Sequence, residues 1–186
     1  MLSHFWFCGK VIAELKGNSL NMRTELKFDE VKEEKVKFLE QNKDIVLATS
    51  LENRVTARYV RYASEGLTII FFTLTNLKKV AQIKSNPKVA LCLHDASGRN
   101  ASIEGTAKIV SQREEEGKRL AEIIKKKHKG YFEWWYAHAP ELIVFVKVTP
   151  TLIVSYVYTD EKKPALEYLD LQNKTAYQTI IWEKQE

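Results

Sequence analysis

The sequence predicts a small α+β domain, in which short strands form a β-barrel and two or three helices lie among them. Three observations lead to this prediction. The apolar runs are short, rich in β-branched and aromatic residues and bounded by turn residues, as in LTIIFFT at residues 67–73. Successive strands are close enough in the chain to pair as a meander. The 186 residues suffice for one domain with a sizeable core.

Three segments are interpreted as helices. Asp29 is the expected N-cap of the first, and Thr75 or Asn76 that of the second. The second ends at Asn86, because the residue before Pro87 avoids helical geometry. The third is acidic at its start and basic at its end, which suits the helix dipole, although an anionic partner for the basic cluster is the alternative. The expected helices cover residues 29–42, 76–86 and 114–129, with Gly130 ending the third.

The remaining apolar runs are interpreted as strands. In the strand VTARYVRY, alternation places Arg58 and Val60 on one face, and Tyr59 and Arg61 on the other. Gly105 lies within a later strand, which indicates a bulge or a close backbone approach. The expected strands are 44–50, 55–62, 67–73, 88–94, 101–110, 141–149 and 151–158, followed by a hairpin over 166–182 that turns at 172–174; the first three form a meander.

Composition limits the classes of function. Hydrophobic residues make up 45% of the chain, which excludes a disordered protein. The net charge of +5 is modest and spread out, so it favours a small anionic ligand over a nucleic acid, and no RNA-binding or helix-turn-helix motif is present. No apolar stretch is long enough to span a membrane. The two cysteines, Cys8 and Cys92, lie far apart in the sequence, which favours a reduced, cytoplasmic protein.

The first residues differ in composition from the rest of the chain. They are apolar but lack a basic start, and Lys10 interrupts them, so they make a poor signal peptide. We expect residues 1–22 to be an N-terminal extension, not native if translation starts at Met22, and residues 23–186 to form one domain. The alternative is that the aromatic residues at 5–7 pack onto the domain.

Lys78 and Lys79 stand in the first turn of the short helix, where the helix dipole disfavours cations by about 0.3–1 kcal/mol each. A phosphate at that position would compensate them. Arg58 and Arg61, on the preceding strand, could join the lysines around a phosphate dianion. The alternative is that the lysines form an ordinary solvated face, and that the arginines pair with acidic residues at 52, 65 or 104.

Other kinds of site find little support. Cys92, His94 and Asp95 are candidate metal ligands without a second cluster, and we expect no metal site. No nucleophile elbow, phosphate-binding Walker loop or dinucleotide-binding glycine pattern is present. The sequence identifies no catalytic acid, base or nucleophile.

The order of these motifs resembles the pyridoxamine-phosphate-oxidase-like FMN-binding split barrels, which include general stress proteins and nitroimidazole-resistance-type proteins. The resemblance covers about residues 44–156. Its specific parts are the strand around Arg58, the pair Phe72-Thr73, the segment from Asn76 to Pro87, and the stretches 89–93, 103–107 and 147–150. The resemblance implies a Greek-key split β-barrel of six or more antiparallel strands.

The resemblance also implies a homodimer that binds FMN at the subunit interface. The aromatic run at 131–136 either fills the space under the helix at 114–129, since Trp and Phe bury large areas, or reaches the flavin of the partner subunit. By the family pattern, the residues expected to bind the FMN phosphate are Arg58, Lys78 and Lys79. Those expected to contact the flavin ring and ribityl chain are Tyr59, Val60, Arg61, Phe72 and Thr73, and the contact from the partner subunit corresponds to Asn100.

Two departures from the oxidase pattern bear on activity. Ala63 stands where the oxidase has a lysine near the flavin, and no arginine follows Arg119 to hold a substrate phosphate. We therefore expect an FMN-dependent oxidoreductase that acts on another small molecule, and not a true pyridoxine-phosphate oxidase. The alternatives are a non-enzymatic flavin-binding or stress-response module, and a relative that handles a deazaflavin or haem.

Overall fold

A computed structural model describes residues 23–182, so the expected N-terminal extension lies outside the described residues. The helices of the described part are α1 (Phe28–Gln41), α2 (Lys78–Ser85) and α3 (Glu115–His138), with a 3-10 turn at Pro140–Leu142. The strands are β1 (Arg23–Leu26), β2 (Asp44–Leu51), β3 (Arg54–Arg61), β4 (Ala63–Glu65), β5 (Thr68–Leu74), β6 (Lys88–His94), β7 (Asn100–Ser111), β8 (Ile143–Tyr158), β9 (Pro164–Asp170) and β10 (Thr175–Ile180).

All strand pairs are antiparallel, and the sheet runs in the order β1-β10-β9-β8-β7-β6-β2-β3. β8 has three partners, because its first half pairs β5, its second half pairs β9, and β7 accompanies both halves. The sheet therefore divides along β8 and curls into a split barrel. The α+β fold class and the closing hairpin of β9 and β10 are confirmed.

The predicted meander of the first three strands is wrong. β3 pairs β2, but β5 pairs β4 and β8 instead of β3. The chain turns away from β3 at Tyr62. The Tyr62 N–H donates to the Lys43 carbonyl (2.9 Å), and its buried hydroxyl donates to the Leu39 carbonyl (2.8 Å). This corner carries β5 across to the other side of the barrel.

One strand replaces the two expected at 141–149 and 151–158. β8 runs through Pro150 for 16 residues, because the proline lies where the register with β7 shifts. The shift lies between Glu104 and Gly105, and Gly105 is opposite Pro150. A Cβ on Gly105 would approach the Thr149 carbonyl oxygen to 2.6 Å, so only glycine allows the strands this close. The bulge predicted from Gly105 is confirmed.

The core has two parts, one on each face of β5. Ile69 and Phe71 point into the barrel with residues of α1, β2 and β6, whereas Ile70 points toward α3. Burial on both faces explains why β5 is a continuous apolar run without alternation. At the other end of the barrel, the buried Lys35 of α1 forms an ion pair with the buried Glu167 of β9 at 2.5 Å.

The helix termini differ from the predictions. α1 is preceded by Lys27 at the N-cap, so Asp29 lies in the first turn instead of capping it. α3 continues through Gly130 to His138, with a kink at His128, whose Nε2 lies 2.6 Å from the Tyr62 carbonyl oxygen. Phe132 and Trp135, beyond Gly130, pack on the core, and this packing outweighs the weak helix propensity of glycine. None of the helices in residues 23–182 has the length and apolar character needed to cross a membrane.

We expect Gly105→Ala to destabilise the protein by about 1–3 kcal/mol, the usual range for overpacking, because the added Cβ meets backbone atoms that cannot move aside. Chemical denaturation of the two proteins measures the difference. The matched control is Gly130→Ala on α3, where a Cβ meets no atom within 4 Å. That change should stabilise the helix by about 0.5–1 kcal/mol. Equal effects of the two substitutions would contradict the close approach at the bulge.

Candidate functional site

Arg58 shares a face of β3 with Val60, as the alternation predicted; this face points inward, and the guanidinium donates to neutral acceptors. It pairs across the strands with the buried Leu47 of β2. The guanidinium donates to the Thr49 hydroxyl (2.6 Å), the Thr56 hydroxyl and the side-chain oxygen of Gln82 (3.2 Å). Burial lowers the pKa of Arg58 from its ordinary value. Within residues 23–182 all of its side-chain partners are uncharged, so no carboxylate compensates the positive charge of the guanidinium.

Lys79 adds a second cation to the same site. It is the second residue of α2, and its half-buried ammonium donates to the Thr73 hydroxyl of β5 (3.1 Å). Burial lowers the pKa of Lys79, and the nearby charge of Arg58 lowers it further. Lys79 lies one helical turn before Gln82, so the two side chains share one face of α2. Because Gln82 accepts a hydrogen bond from Arg58 of β3, both cations lie at this face of the helix. We call Arg58, Lys79, Thr49, Thr56, Thr73 and Gln82 the cation cluster.

The start of α2 has no side-chain cap. Leu77 is the N-cap, so the expected capping by Thr75 or Asn76 is wrong. Lys78 and Lys79 are the first two residues of the helix, and its first turn holds no acidic residue. The helix therefore presents the positive end of its dipole and two cations at the same place, a combination that favours an anion. Lys78 itself is exposed.

A second group forms around Tyr131 of α3. The guanidinium of Arg61 lies over the Tyr131 ring, 4.7 Å from its centre. Phe72 of β5 contacts the same ring at 5.4 Å and the Phe132 ring at 5.2 Å. Arg61 pairs with Asp44 at 3.4 Å and not with the acidic residues considered from the sequence. Phe72 and Arg61 therefore meet through Tyr131, away from the face that carries Arg58.

The remaining predicted residues lie apart from the cation cluster. Tyr59 is 80% exposed on the outer face of β3, whereas Val60 is 7% exposed and belongs to the core. Only the backbone of Val60 is thus available to a ligand. Asn100 begins β7, and its side-chain oxygen accepts from the Tyr156 N–H (3.0 Å). Trp135, in the aromatic run, packs against the α3 part of the core.

Sequence reasoning missed the neutral half of the cation cluster. Thr49 and Thr56 are cross-strand partners on the face of Arg58, so the hairpin register could have identified them. Gln82 could not be identified in this way, because its role depends on how α2 docks on β2 and β3. Among the described residues, no group of three or more His, Cys, Asp or Glu side chains could hold a metal ion.

Solved structures share the fold of this chain at low sequence identity. General Stress Protein 26 from Bacillus anthracis is 22% identical over 68% of this chain and 93% of its own, with a TM-score of 0.54. A FAD-binding protein from Mesorhizobium loti is 18% identical over 72% and 96%, with a TM-score of 0.55. A pyridoxamine 5'-phosphate oxidase-related, FMN binding protein from Nostoc punctiforme is 14% identical over 82% and 94%, with a TM-score of 0.56.

Comparison with curated protein sequences gives no significant match. The sequence profile of the pyridoxamine 5'-phosphate oxidase family, in contrast, matches residues 31–154, which is about two thirds of the chain. The matched range begins in α1 and ends in β8, so it contains the whole cation cluster. The chain therefore belongs to the pyridoxamine 5'-phosphate oxidase family, as the resemblance of its motifs predicted.

Proposed function

We propose that this protein binds FMN and acts as a flavin-dependent oxidoreductase on a small molecule. The observation that carries the proposal is the cation cluster, where Arg58 and Lys79 are both partly buried and, among the residues that the structure describes, donate to neutral side chains. Two related structures are described as binding FMN and FAD, which supports a flavin as the ligand. Of these two flavins, FMN ends in a phosphate monoester, which suits two adjacent cations at the start of a helix.

The residues present fit a phosphate dianion. Arg58 and Lys79 repel each other and lose hydration, which together lower the pKa of Lys79. A bound dianion would offset both costs. Arg58 offers a planar donor fork and Lys79 a point charge, while Lys78 and the positive end of the α2 dipole add to the attraction for an anion. The Thr73 hydroxyl of β5 accepts a hydrogen bond from the Lys79 ammonium and so fixes its position.

The rest of the cofactor would extend from the phosphate along β3 and β5. The flavin, when bound, supplies the electron-transfer chemistry, and the protein supplies binding, orientation and electrostatics. We propose that the backbone at Val60 and Thr73 contacts the flavin, and that Phe72 and Arg61 border it on the side of Tyr131. Ala63, which stands where the oxidase has a lysine, is buried in the core beside α3. Its methyl side chain offers no polar group to a substrate.

We further propose that the protein is a homodimer and that the partner subunit completes the site through Asn100. β3 is an edge strand, and its outer face exposes Val55 and Tyr59. Tyr156 and Tyr158 of β8 are also exposed and stack edge to face at 5.4 Å. Exposed apolar side chains of this kind suit a symmetric interface that buries more than about 1,000 Å².

The phosphate assignment predicts a selective loss of affinity. In Arg58→Ala or Lys79→Ala, FMN should bind about ten- to a hundredfold more weakly, because one charge-assisted hydrogen bond contributes about 1.5–3 kcal/mol. Riboflavin lacks the phosphate, so its affinity should hardly change. Titration of apo protein with both ligands measures the difference. Lys84→Ala, in the last turn of the same helix, is the matched control. Equal losses for both ligands would contradict the assignment.

The oxidoreductase assignment predicts electron transfer through the bound flavin. The loaded wild-type protein should be bleached by a reduced nicotinamide under anaerobic conditions and should recover its absorbance when oxygen or another acceptor is added. Stopped-flow absorbance follows both half-reactions, and free FMN at the same concentration is the control. A bound flavin that neither accepts nor passes electrons would instead support the non-enzymatic binding module.

The dimer proposal predicts a sensitive position at Tyr59. Sedimentation at micromolar concentration should show a dimer. Tyr59→Glu should raise the dissociation constant of the dimer by about tenfold or more, because the interface would bury an unpaired carboxylate. Trp134→Glu, an exposed aromatic position on α3, is the control for a general effect of added charge. A wild-type protein that sediments only as a monomer would contradict the dimer proposal.

A further inference from the structure

Gln82 is the buried centre of the cation cluster. Its side chain has 0% exposure, and its oxygen accepts hydrogen bonds from three donors. These donors are the Thr49 hydroxyl (2.8 Å), the Thr56 hydroxyl (3.1 Å) and the Arg58 guanidinium (3.2 Å). The same two hydroxyls also accept from Arg58: Thr49 accepts from Nη1, and Thr56 accepts from Nη2, the nitrogen that also donates to Gln82. Gln82 and the threonines thus hold the guanidinium in one orientation.

The orientation of the Gln82 amide follows from the chemistry of Arg58. A guanidinium has only donors, so it must face the amide oxygen and cannot face the amide nitrogen. The nitrogen is then turned away from the three donors, and within residues 23–182 it is buried without a hydrogen-bond partner. A buried donor without a partner reduces stability. The Gln82 amide therefore lowers the stability of the fold relative to a side chain that has no donor at the position of this nitrogen.

A carboxylate of the same shape would satisfy the same donors. Glutamate at position 82 could accept from both threonines and from Arg58 without leaving a donor unpaired. It would also form an ion pair with Arg58 and cancel the positive charge that the site presents. An amide accepts the guanidinium but leaves its charge uncompensated. The difference between the two side chains is therefore a difference in the charge of the site.

We propose that Gln82 is the positioning residue that determines the specificity of this site for a phosphate monoester. It orients Arg58 through a neutral oxygen, so that Arg58 and Lys79 together present two uncompensated positive charges. The ligand specificity rests on the proposed FMN binding, but the orientation of Arg58 by Gln82 does not. The preference for FMN over riboflavin then depends on a side chain that is fully buried.

Two substitutions separate the acceptor role from the charge. Gln82→Glu keeps an acceptor and adds a negative charge, whereas Gln82→Met removes the acceptor at similar volume. Lys84→Glu is the control, because it changes the charge of α2 at an exposed position in the last turn. Melting temperatures are measured on the apo proteins, and FMN and riboflavin dissociation constants on the same preparations.

We expect Gln82→Glu to melt at or above the wild-type temperature and to bind FMN about ten- to a hundredfold more weakly, while riboflavin affinity hardly changes. Gln82→Met should melt lower than the wild type, because Arg58 and both threonines lose their acceptor. Lys84→Glu should resemble the wild type in all three measurements.

Three results would overturn the inference. They are wild-type FMN affinity in Gln82→Glu, a loss of stability in Gln82→Glu as large as that in Gln82→Met, and an equal loss of FMN affinity in Lys84→Glu. If the wild-type protein binds no FMN, the proposed function fails and the phosphate specificity fails with it. The melting temperatures of the apo proteins then still decide whether Gln82 orients Arg58.

Discussion

The pairing of β8 with three other strands is the constraint on which the rest of the structure depends. One strand of 16 residues can serve β5 with its first half and β9 with its second only if the sheet bends between the halves. The bulge opposite Gly105 and Pro150 provides that bend. Because β5 is thereby held across the barrel from β3, Thr73 and Arg58 approach α2 from two sides. The cation cluster is a consequence of how the barrel closes.

The cation cluster itself runs against local stability. A helix would be more stable with an acidic residue or a cap at its start, yet α2 begins with two lysines and an uncapped turn. A buried guanidinium would be more stable beside a carboxylate, yet Arg58 has a glutamine and two threonines. Each choice sacrifices some stability and preserves positive charge in the same place. Such agreement among independent local exceptions is typical of a binding site.

Sequence reasoning predicted elements that depend on neighbouring residues and missed those that depend on distant ones. The shared face of Arg58 and Val60 follows from alternation along a strand, and the bulge follows from a glycine within a strand. The partner of β5 could not be predicted, because a run that is apolar on both faces carries no mark of which strand lies beside it. The continuation of α3 through Gly130 likewise depends on packing against the core. Gln82 was missed for the same reason, since its three donors come from β2 and β3.

The ion pair between Lys35 and Glu167 has a consequence for how this family member can change during evolution. Both side chains are almost fully enclosed, at 5% and 7% exposure, so losing Lys35 would leave the charge of Glu167 in the interior without this partner, whereas losing Glu167 would leave Lys35 beside the exposed Glu34 at 3.3 Å. Substitution of Lys35 alone is therefore expected to be the more harmful of the two, although a simultaneous exchange of both for apolar residues of similar volume is tolerated in other proteins. The two positions are thus expected to vary jointly or not at all. Such covariation would couple the first helix to the C-terminal hairpin during sequence divergence.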